Sequence, residues 1–221
     1  MQHHQHVLVQ DIISRHKQRT SKQEVHWLGH KFVIHPTVFS PFIAPSGLVT
    51  RAFSSLYDFE GKRVWEVGCG SSVLSCVAAL SGANQVVASD ISDDAVANSN
   101  ENVDALAVRN VSVRKGQLFD PLMQDEVFDV IYVDLPLANG HTNSSLEMAF
   151  FDHDLNSIKT FSIRAREFLD VRHGEIFVCL SNLEPKTPII NQFKASGFSA
   201  ERILSIEQLQ WITLELYRFK I

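Results

Sequence analysis

Val64-Trp65-Glu66-Val67-Gly68-Cys69-Gly70 is the stretch whose reading decides the fold. A short apolar run carrying one acid ends in two glycines separated by a single residue. An apolar helical stretch follows over Val73–Leu80, and a second strand-like run, Gln85–Ser89, stops on Asp90. The order is strand, glycine turn, helix, strand, acid. Glycines let backbone approach a ligand closely where a side chain would block it. An acid just beyond the second strand is placed to accept two hydrogen bonds from the vicinal hydroxyls of a ribose. The segment therefore points to an adenosine-type cofactor.

Two cofactor classes use this layout. A dinucleotide fold takes G-x-G-x-x-G, whose third glycine permits close helix–strand packing beside a pyrophosphate. Counting from Gly68 gives Gly68, Gly70 and then Val73, so the third glycine is missing. The run Glu66-Val67-Gly68-Cys69-Gly70-Ser71-Ser72 instead resembles the E/D-x-G-x-G-x-G motif of class I S-adenosylmethionine (SAM) methyltransferases. Ser72 stands where that family has a small residue, often glycine.

The next stretch carries the resemblance further. Val111–Leu122 reads as a third strand and a turn, and Phe128–Asp134 as a fourth strand ending on an acid, followed by Leu135-Pro136-Leu137. Successive strand ends at one rim place ligand groups at the carboxyl edge of a parallel sheet. The pattern is similar to that of the release-factor glutamine methyltransferases and the small-domain RNA guanine methyltransferases, which carry G-D-L-F-x-P-L and then F-D-x-I-x-x-N-P-P-Y. The similarity covers roughly residues 25–182 and is closest over 64–136. It implies a Rossmann-like α/β fold and SAM as cofactor. The implied cofactor-binding residues are Glu66, Gly68, Gly70, Ser72, Asp90, Ile91, Gln117, Leu118 and Asp134, with Phe39 and Thr50 reaching in from the N-terminal side. Asp134 and Pro136 are the implied catalytic positions.

This sequence departs from the family at two places. Gln117 stands where an adenine-contacting aspartate is expected; its carbonyl can accept from an adenine amino group and its NH2 can donate to a ring nitrogen. The N/D-P-P-Y/F position reads Asp134-Leu135-Pro136-Leu137, so the strand-end acceptor and one proline are kept and the aromatic platform is lost. The family's substrate does not carry over with the cofactor.

Composition bounds the rest. The chain has 221 residues, enough for one large α/β domain with a modest extension, and its 45% hydrophobic share is ordinary for a globular protein. No apolar run approaches the ~20 residues that span a bilayer, and Met-Gln-His-His-Gln-His has neither the charged start nor the apolar core of a signal peptide. The three cysteines, Cys69, Cys76 and Cys179, form an odd set in core-like segments, which suits reduced thiols and a cytoplasmic location. The formal net charge is −5, which disfavours nucleic acid, since its binders present a basic field. The basic clusters Arg15–Lys22 and Arg164–Arg172 read as solvated helix faces. A protein or a small molecule is the expected substrate.

The expected fold is a doubly wound sheet of seven mostly parallel strands with an antiparallel final strand and helices on both faces. Residues 1–60 read as an N-terminal extension that lids the cofactor site: a helix over 7–20, a hairpin over Glu24–Ile34 turning at Gly29-His30, the segment Val38-Phe39-Ser40-Pro41, and a helix from Gly47 to Tyr57. Residues 61–221 read as the core. In it, helices are expected over Asp93–Leu106, capped by Ser92 or Asp93, over Asp152–Leu169, capped by Asp152 or Asp154 and closed by His173-Gly174, and over Pro188–Ser196, stopped at Gly197. Strands are expected at Glu175–Leu180, Phe198–Ser205 and Leu209–Phe219.

Each candidate has a plainer reading beside it. Asp134 either orients a methyl acceptor or caps a turn before Pro136. Glu66 is either a cofactor-positioning acid or a strand-end acid. The polar loop Ala138–Phe151, with Asn139, His141, Asn143 and Glu147, is long for a connection inside a compact domain, which favours a binding role. Asp152-His153-Asp154 suits a helix N-terminus better than a metal, and no metal centre is expected. His26, His30 and His35 suit hairpin packing, and Trp27 and Trp211 suit the core. No G-x-S-x-G and no P-loop occurs. The expected activity is SAM-dependent N-methylation; a SAM-fold protein without transfer activity and an NAD-dependent oxidoreductase are the competing readings.

Overall fold

The computed structural model describes residues 2–136, 138–139, 146–182, 185–208 and 212–221. The chain opens with α1 (Gln2–Lys17), the hairpin β1 (Gln23–Trp27) and β2 (His30–Ile34), and α2 (Ser46–Leu56). The first half of the core follows as β3 (Arg63–Val67), α3 (Val73–Leu80), β4 (Gln85–Asp90), α4 (Asp93–Ala105) and β5 (Val111–Lys115). The second half holds β6 (Val130–Val133), the short β7 (Ala138–Asn139) and β8 (Phe151–Asp152), α5 (Asn156–Arg164), β9 (Glu175–Ser181), α6 (Lys186–Ala195), β10 (Ser199–Gln208) and β11 (Ile212–Lys220).

Seven strands form one sheet in the order β10-β11-β9-β6-β3-β4-β5. The pairs from β9 through β6, β3 and β4 to β5 are parallel, and β11 enters antiparallel between β9 and β10. Strand order reverses beside β3, where β4 and β6 lie on its two sides. In open α/β sheets that switch point is where a ligand crevice forms. The alternation along β3 explains the two covered faces. Trp65 and Val67 join a core with Ile131, Phe161, Val178 and Phe193, whereas Val64 joins Phe53, Leu74, Tyr132 and Phe177 on the other side. As a central parallel strand β3 is covered on both faces, and Val64 to Val67, Glu66 included, are all buried.

The α3 and β4 boundaries fall where the sequence places them, and Ser92 caps α4, accepting from the Ala95 amide. Four readings are corrected. The first helix spans Gln2–Lys17 rather than 7–20. The hairpin turns at Leu28 and Gly29, with φ of 47° and 85°, rather than at Gly29-His30; two positive φ values match the right-handed twist of the strands that the turn joins. The stretch Asp152–Leu169 is not one helix. Asp154 and Leu155 both adopt left-handed φ (57° and 56°), α5 begins only at Asn156, and the last turn, Ala165–Phe168, is 3-10. Nor does Gly174 close that helix: Leu169 already bridges Phe128, and Asp170 accepts from the amides of Arg172 and His173 in a separate turn. Trp211 lies outside the described residues.

The basic residues near α1 are likewise not all solvated. Arg19 is 9% exposed and donates to the carbonyls of His35, Pro36 and Val38. The hairpin is fixed from the other side by α4. Asn102 accepts from the Val33 amide at 2.8 Å and donates to the carbonyls of Val33 and Ser71, each at 2.9 Å. Asn98 accepts from the His35 amide at 2.9 Å and donates to the Val33 carbonyl at 2.7 Å.

Asn102 is 1% exposed, so its removal leaves polar groups of both the hairpin and the glycine turn without partners. Each such group costs about 1–3 kcal/mol. Asn102→Ala should therefore lower the urea midpoint with an unchanged slope. A midpoint equal to the wild type would show that these bonds are replaced by water.

Candidate functional site

The end of β3 and the start of the following turn are locked to both neighbouring strands. The amides of Gly68 and Cys69 donate to the Ser89 carbonyl at 2.9 and 3.0 Å, and the Asp134 amide donates to the Val67 carbonyl at 2.9 Å. Gly68 has φ of 75°, and a Cβ there would stand 2.5 Å from the Asp134 carbonyl oxygen. Only glycine fits. Gly70, with φ of 52°, carries the turn over Asp90, whose Oδ2 accepts from the Gly70 amide at 2.9 Å. Its Oδ1 accepts from the Ser92 amide at 2.9 Å, so each oxygen keeps lone-pair capacity beyond the backbone bond it makes.

These strand ends open on a cleft of about 790 Å³, within the roughly 300–1,000 Å³ of small-molecule and cofactor sites. Glu66, Gly68, Gly70, Asp90, Ile91, Gln117, Leu118, Asp134, Pro136, Phe39 and Thr50 all line it. Ser72 does not. Its backbone is left-handed, with φ of 55°, and its buried hydroxyl donates to Ser99 Oγ at 2.7 Å. The position that the motif gives to a small residue is thus turned into α4, away from the cleft. Thr50 reaches the cleft wall with its hydroxyl 3.0 Å from that of Tyr132.

Among the described residues lining the cleft are Glu66, Asp90, Asp93, Asp94, Asp134 and Asp152, and no Lys or Arg. Glu66 is 4% exposed; its Oε2 accepts from the amide and hydroxyl of Ser75 at 3.0 and 2.5 Å. Burial, reinforced by the charges of Asp134 and Asp90, pushes its pKa up to about 8. Burial and the Asp90 charge push Asp134 up to about 6. Burial also raises Asp90, while the amides of Ser92, Gly70 and Ile91 pull it back. Buried carboxyl groups gathered in one recess suit a ligand carrying positive charge. SAM, with one ammonium, one sulfonium and one carboxylate, is such a ligand, and the residues present fit it.

The far wall was not legible from motifs. Leu146, Met148, Ala149, Phe151 and His153 line it. Asp152 accepts from the Ser157 amide at 2.7 Å, capping the start of α5, and Glu147 pairs with Lys17 at 2.7 Å. Leu137, His141 and Asn143 lie outside the described residues. Among the described residues no group of three His, Cys, Asp or Glu side chains could hold a metal ion. None of the three cysteines is in a disulfide; Cys69 and Cys76 are buried and Cys179 is partly exposed.

Comparison with known proteins adds the family. A family model described as "Methyltransferase domain" matches residues 58–177. The ribosomal protein L11 methyltransferase of Acetivibrio thermocellus is 39% identical over 161 residues, which are 72% of this chain and 44% of that protein. A putative protein N5-glutamine methyltransferase of Methanocaldococcus jannaschii is 28% identical over 183 residues, covering 78% of this chain and 87% of that protein. The structure of a putative RNA methyltransferase from Pyrococcus horikoshii superposes with a TM-score of 0.58 at 22% identity, covering 96% of each chain; that likeness shows the fold alone. The chain spans less than half the length of the L11 methyltransferases that it matches first, 40% of one and 44% of another.

The raised acids give the empty protein a pH signature. Between the ordinary carboxylate range and the folded values of about 6 and about 8, Asp134 and Glu66 hold protons that the unfolded chain has released. The folded state then binds more protons, so this contribution to stability is full below about pH 4 and is lost as pH rises through the folded values. SAM should offset the loss by supplying positive charge. Denaturation midpoints from pH 5 to 8.5, with and without SAM, test this. The fall should be shallower with SAM and in Glu66→Gln; equal slopes in all three would exclude these groups as its source.

Proposed function

The chain belongs to the class I SAM-dependent methyltransferase family, and from that premise we propose that it transfers a methyl group to a nitrogen of a protein side chain or small metabolite. The observation that carries the reading is the convergence of the glycine turn, Asp90 and Asp134 on one acid-lined cleft at the sheet's switch point. In this reading Asp90 accepts from the ribose hydroxyls, and Gln117 and Ile91 meet the adenine. Leu118 adds apolar wall, and Glu66 faces the ammonium end. Residues 1–60 close over the cofactor as a lid, with Phe39 and Thr50 on its inner face.

SAM supplies a methyl already activated by its sulfonium, so that the carbon–sulfur bond breaks as the acceptor nitrogen bonds the carbon. What remains for the protein is to hold the acceptor in line at near-attack distance, an orientation effect. Asp134 does this with its carboxylate, accepting from the acceptor's N–H and directing the lone pair at the methyl. Pro136 fixes the backbone that follows. The carboxylate favours nitrogen bearing a proton to donate. The absence of Lys and Arg among the described lining residues disfavours a phosphate-bearing acceptor, and both curated relatives above are named as protein methyltransferases.

Asp90→Ala removes two charge-assisted hydrogen bonds, each worth roughly 1.5–3 kcal/mol, and should weaken S-adenosylhomocysteine (SAH) binding by about a hundredfold or more. Circular dichroism separates that loss from damage to the turn that Asp90 also ties. A change below about threefold in calorimetry would make the ribose assignment wrong.

Asp134→Asn keeps shape and removes charge. If Asp134 orients the acceptor, SAH binding persists and turnover falls in a single-turnover assay against an acceptor panel of amines and amides. Asp134→Ala should fall further, having neither charge nor acceptor atom. Full turnover in the alanine variant would leave Asp134 with only a turn-capping role.

A further inference from the structure

Two walls of the cleft are not part of the main sheet. One is the strap Thr37–Pro41, which lines the cleft through Phe39; the other is the segment Leu146–Asp152, which lines it through Leu146, Met148, Ala149, Phe151 and Asp152 and carries Phe150, itself not a lining residue. One buried side chain contacts both walls. His16 on α1 is 0% exposed. Its Nδ1 donates to the Ile12 carbonyl at 2.8 Å, and its Nε2 accepts from the Ser40 amide at 3.0 Å. These two partners fix the neutral tautomer. The imidazole stacks on Phe39 with 5.2 Å between centroids and an interplanar angle of 22°. It meets Phe150 edge-on at 5.3 Å, and Phe39 and Phe150 lie 5.4 Å apart.

We propose that His16 is a positioning residue of the cofactor cleft, setting through Phe39 and Phe150 the gap between the two walls. This rests on the methyltransferase reading above. The chemistry of the position argues for more than volume filling. A buried imidazole is costly unless both ring nitrogens are partnered, and an apolar side chain would fill the same space without that cost. What the imidazole adds is an acceptor for the Ser40 amide, one residue from the ring that enters the cleft, and a flat face against that ring. Docking of α1 does not need it. Ile12 and Ile13 are buried on the same helix, Arg19 donates to the carbonyls of His35, Pro36 and Val38, and Lys17 pairs with Glu147. His16 is the member of this set that touches both walls with one ring.

The test is calorimetric titration of SAH into the full chain and its variants, with thermal midpoints measured on the same samples. His16→Leu should raise the Kd about tenfold or more. His16→Gln, whose amide can donate to Ile12 and accept from Ser40, should return it to within about threefold of the wild type. Ile13→Ala loosens the helix without removing the bonds of His16. At a comparable fall in midpoint it should leave the Kd within about threefold. A wild-type Kd in His16→Leu overturns the proposal, as does an Ile13→Ala variant that loses affinity equally. Should His16→Leu not fold, Phe150→Ala replaces it: about a tenfold loss supports the wall-to-wall contact, and an unchanged Kd overturns it. A wild-type protein that binds neither SAM nor SAH refutes the methyltransferase reading itself, a failure distinct from variants that bind like the wild type.

Discussion

Where the chain leaves β3 beside the end of β6, there is room for a hydrogen atom and nothing larger. A Cβ on Gly68 would stand 2.5 Å from the Asp134 carbonyl. The same few residues give up their amides to Ser89 and Val67, so the ends of β3, β4 and β6 are fixed to one another within a single turn of chain. Asp90 and Asp134 leave that knot directly, and Glu66 precedes it by two residues. The distances among the three acids are therefore set by backbone contact rather than by side-chain packing. Loops elsewhere on the molecule can change without disturbing them.

That rigidity explains why the cleft can keep its carboxyl groups so close. Bringing Glu66, Asp90 and Asp134 out of water together raises all three, a cost to the empty fold. Glu66 is partly compensated by Ser75, whose amide lies in the first turn of α3, where a helix favours negative charge. Asp90 is compensated by the backbone amides of Ser92, Gly70 and Ile91. Asp134 owes its raised pKa to burial and Asp90, with no hydrogen bond pulling it back. The acid assigned to the acceptor is thus the least compensated of the three, as expected for a group whose partner arrives with the substrate.

The sequence made the central unit legible because every level agreed there. Strand, glycine pair, helix and acid each carry their own local signal, and α3 and β4 fall where those signals put them. Elsewhere single signals misled. The apolar spacing over Asp152–Leu169 fits a helix, but periodicity is blind to two consecutive left-handed residues, and Asp154 and Leu155 break the run without any glycine to announce it. Ser72 matched a motif position by size, while its side chain is used for packing against Ser99. Arg19 belongs to a cluster that reads as a solvated helix face, and His16 carries no local signal of its own. Their roles depend on carbonyls and amides of the strap at Pro36–Ser40, partners about twenty residues away that no local pattern encodes.

The cleft therefore has two kinds of wall. In the methyltransferase reading the cofactor side is backbone, written in the glycines and strand-end acids. The other side is built from side chains brought together by tertiary packing. The family's aromatic after the strand-six acid is missing here, so a flat acceptor cannot be held by that motif. Among the described lining residues the rings are those of Phe39, Phe151 and His153, and Phe39 is stacked on His16. In the methyltransferase reading, acceptor selection then moves from the motif to the strap and the segment around Phe151. The motif can identify the cofactor and stay silent about the substrate because the two sets of contacts come from different parts of the chain and rest on different supports.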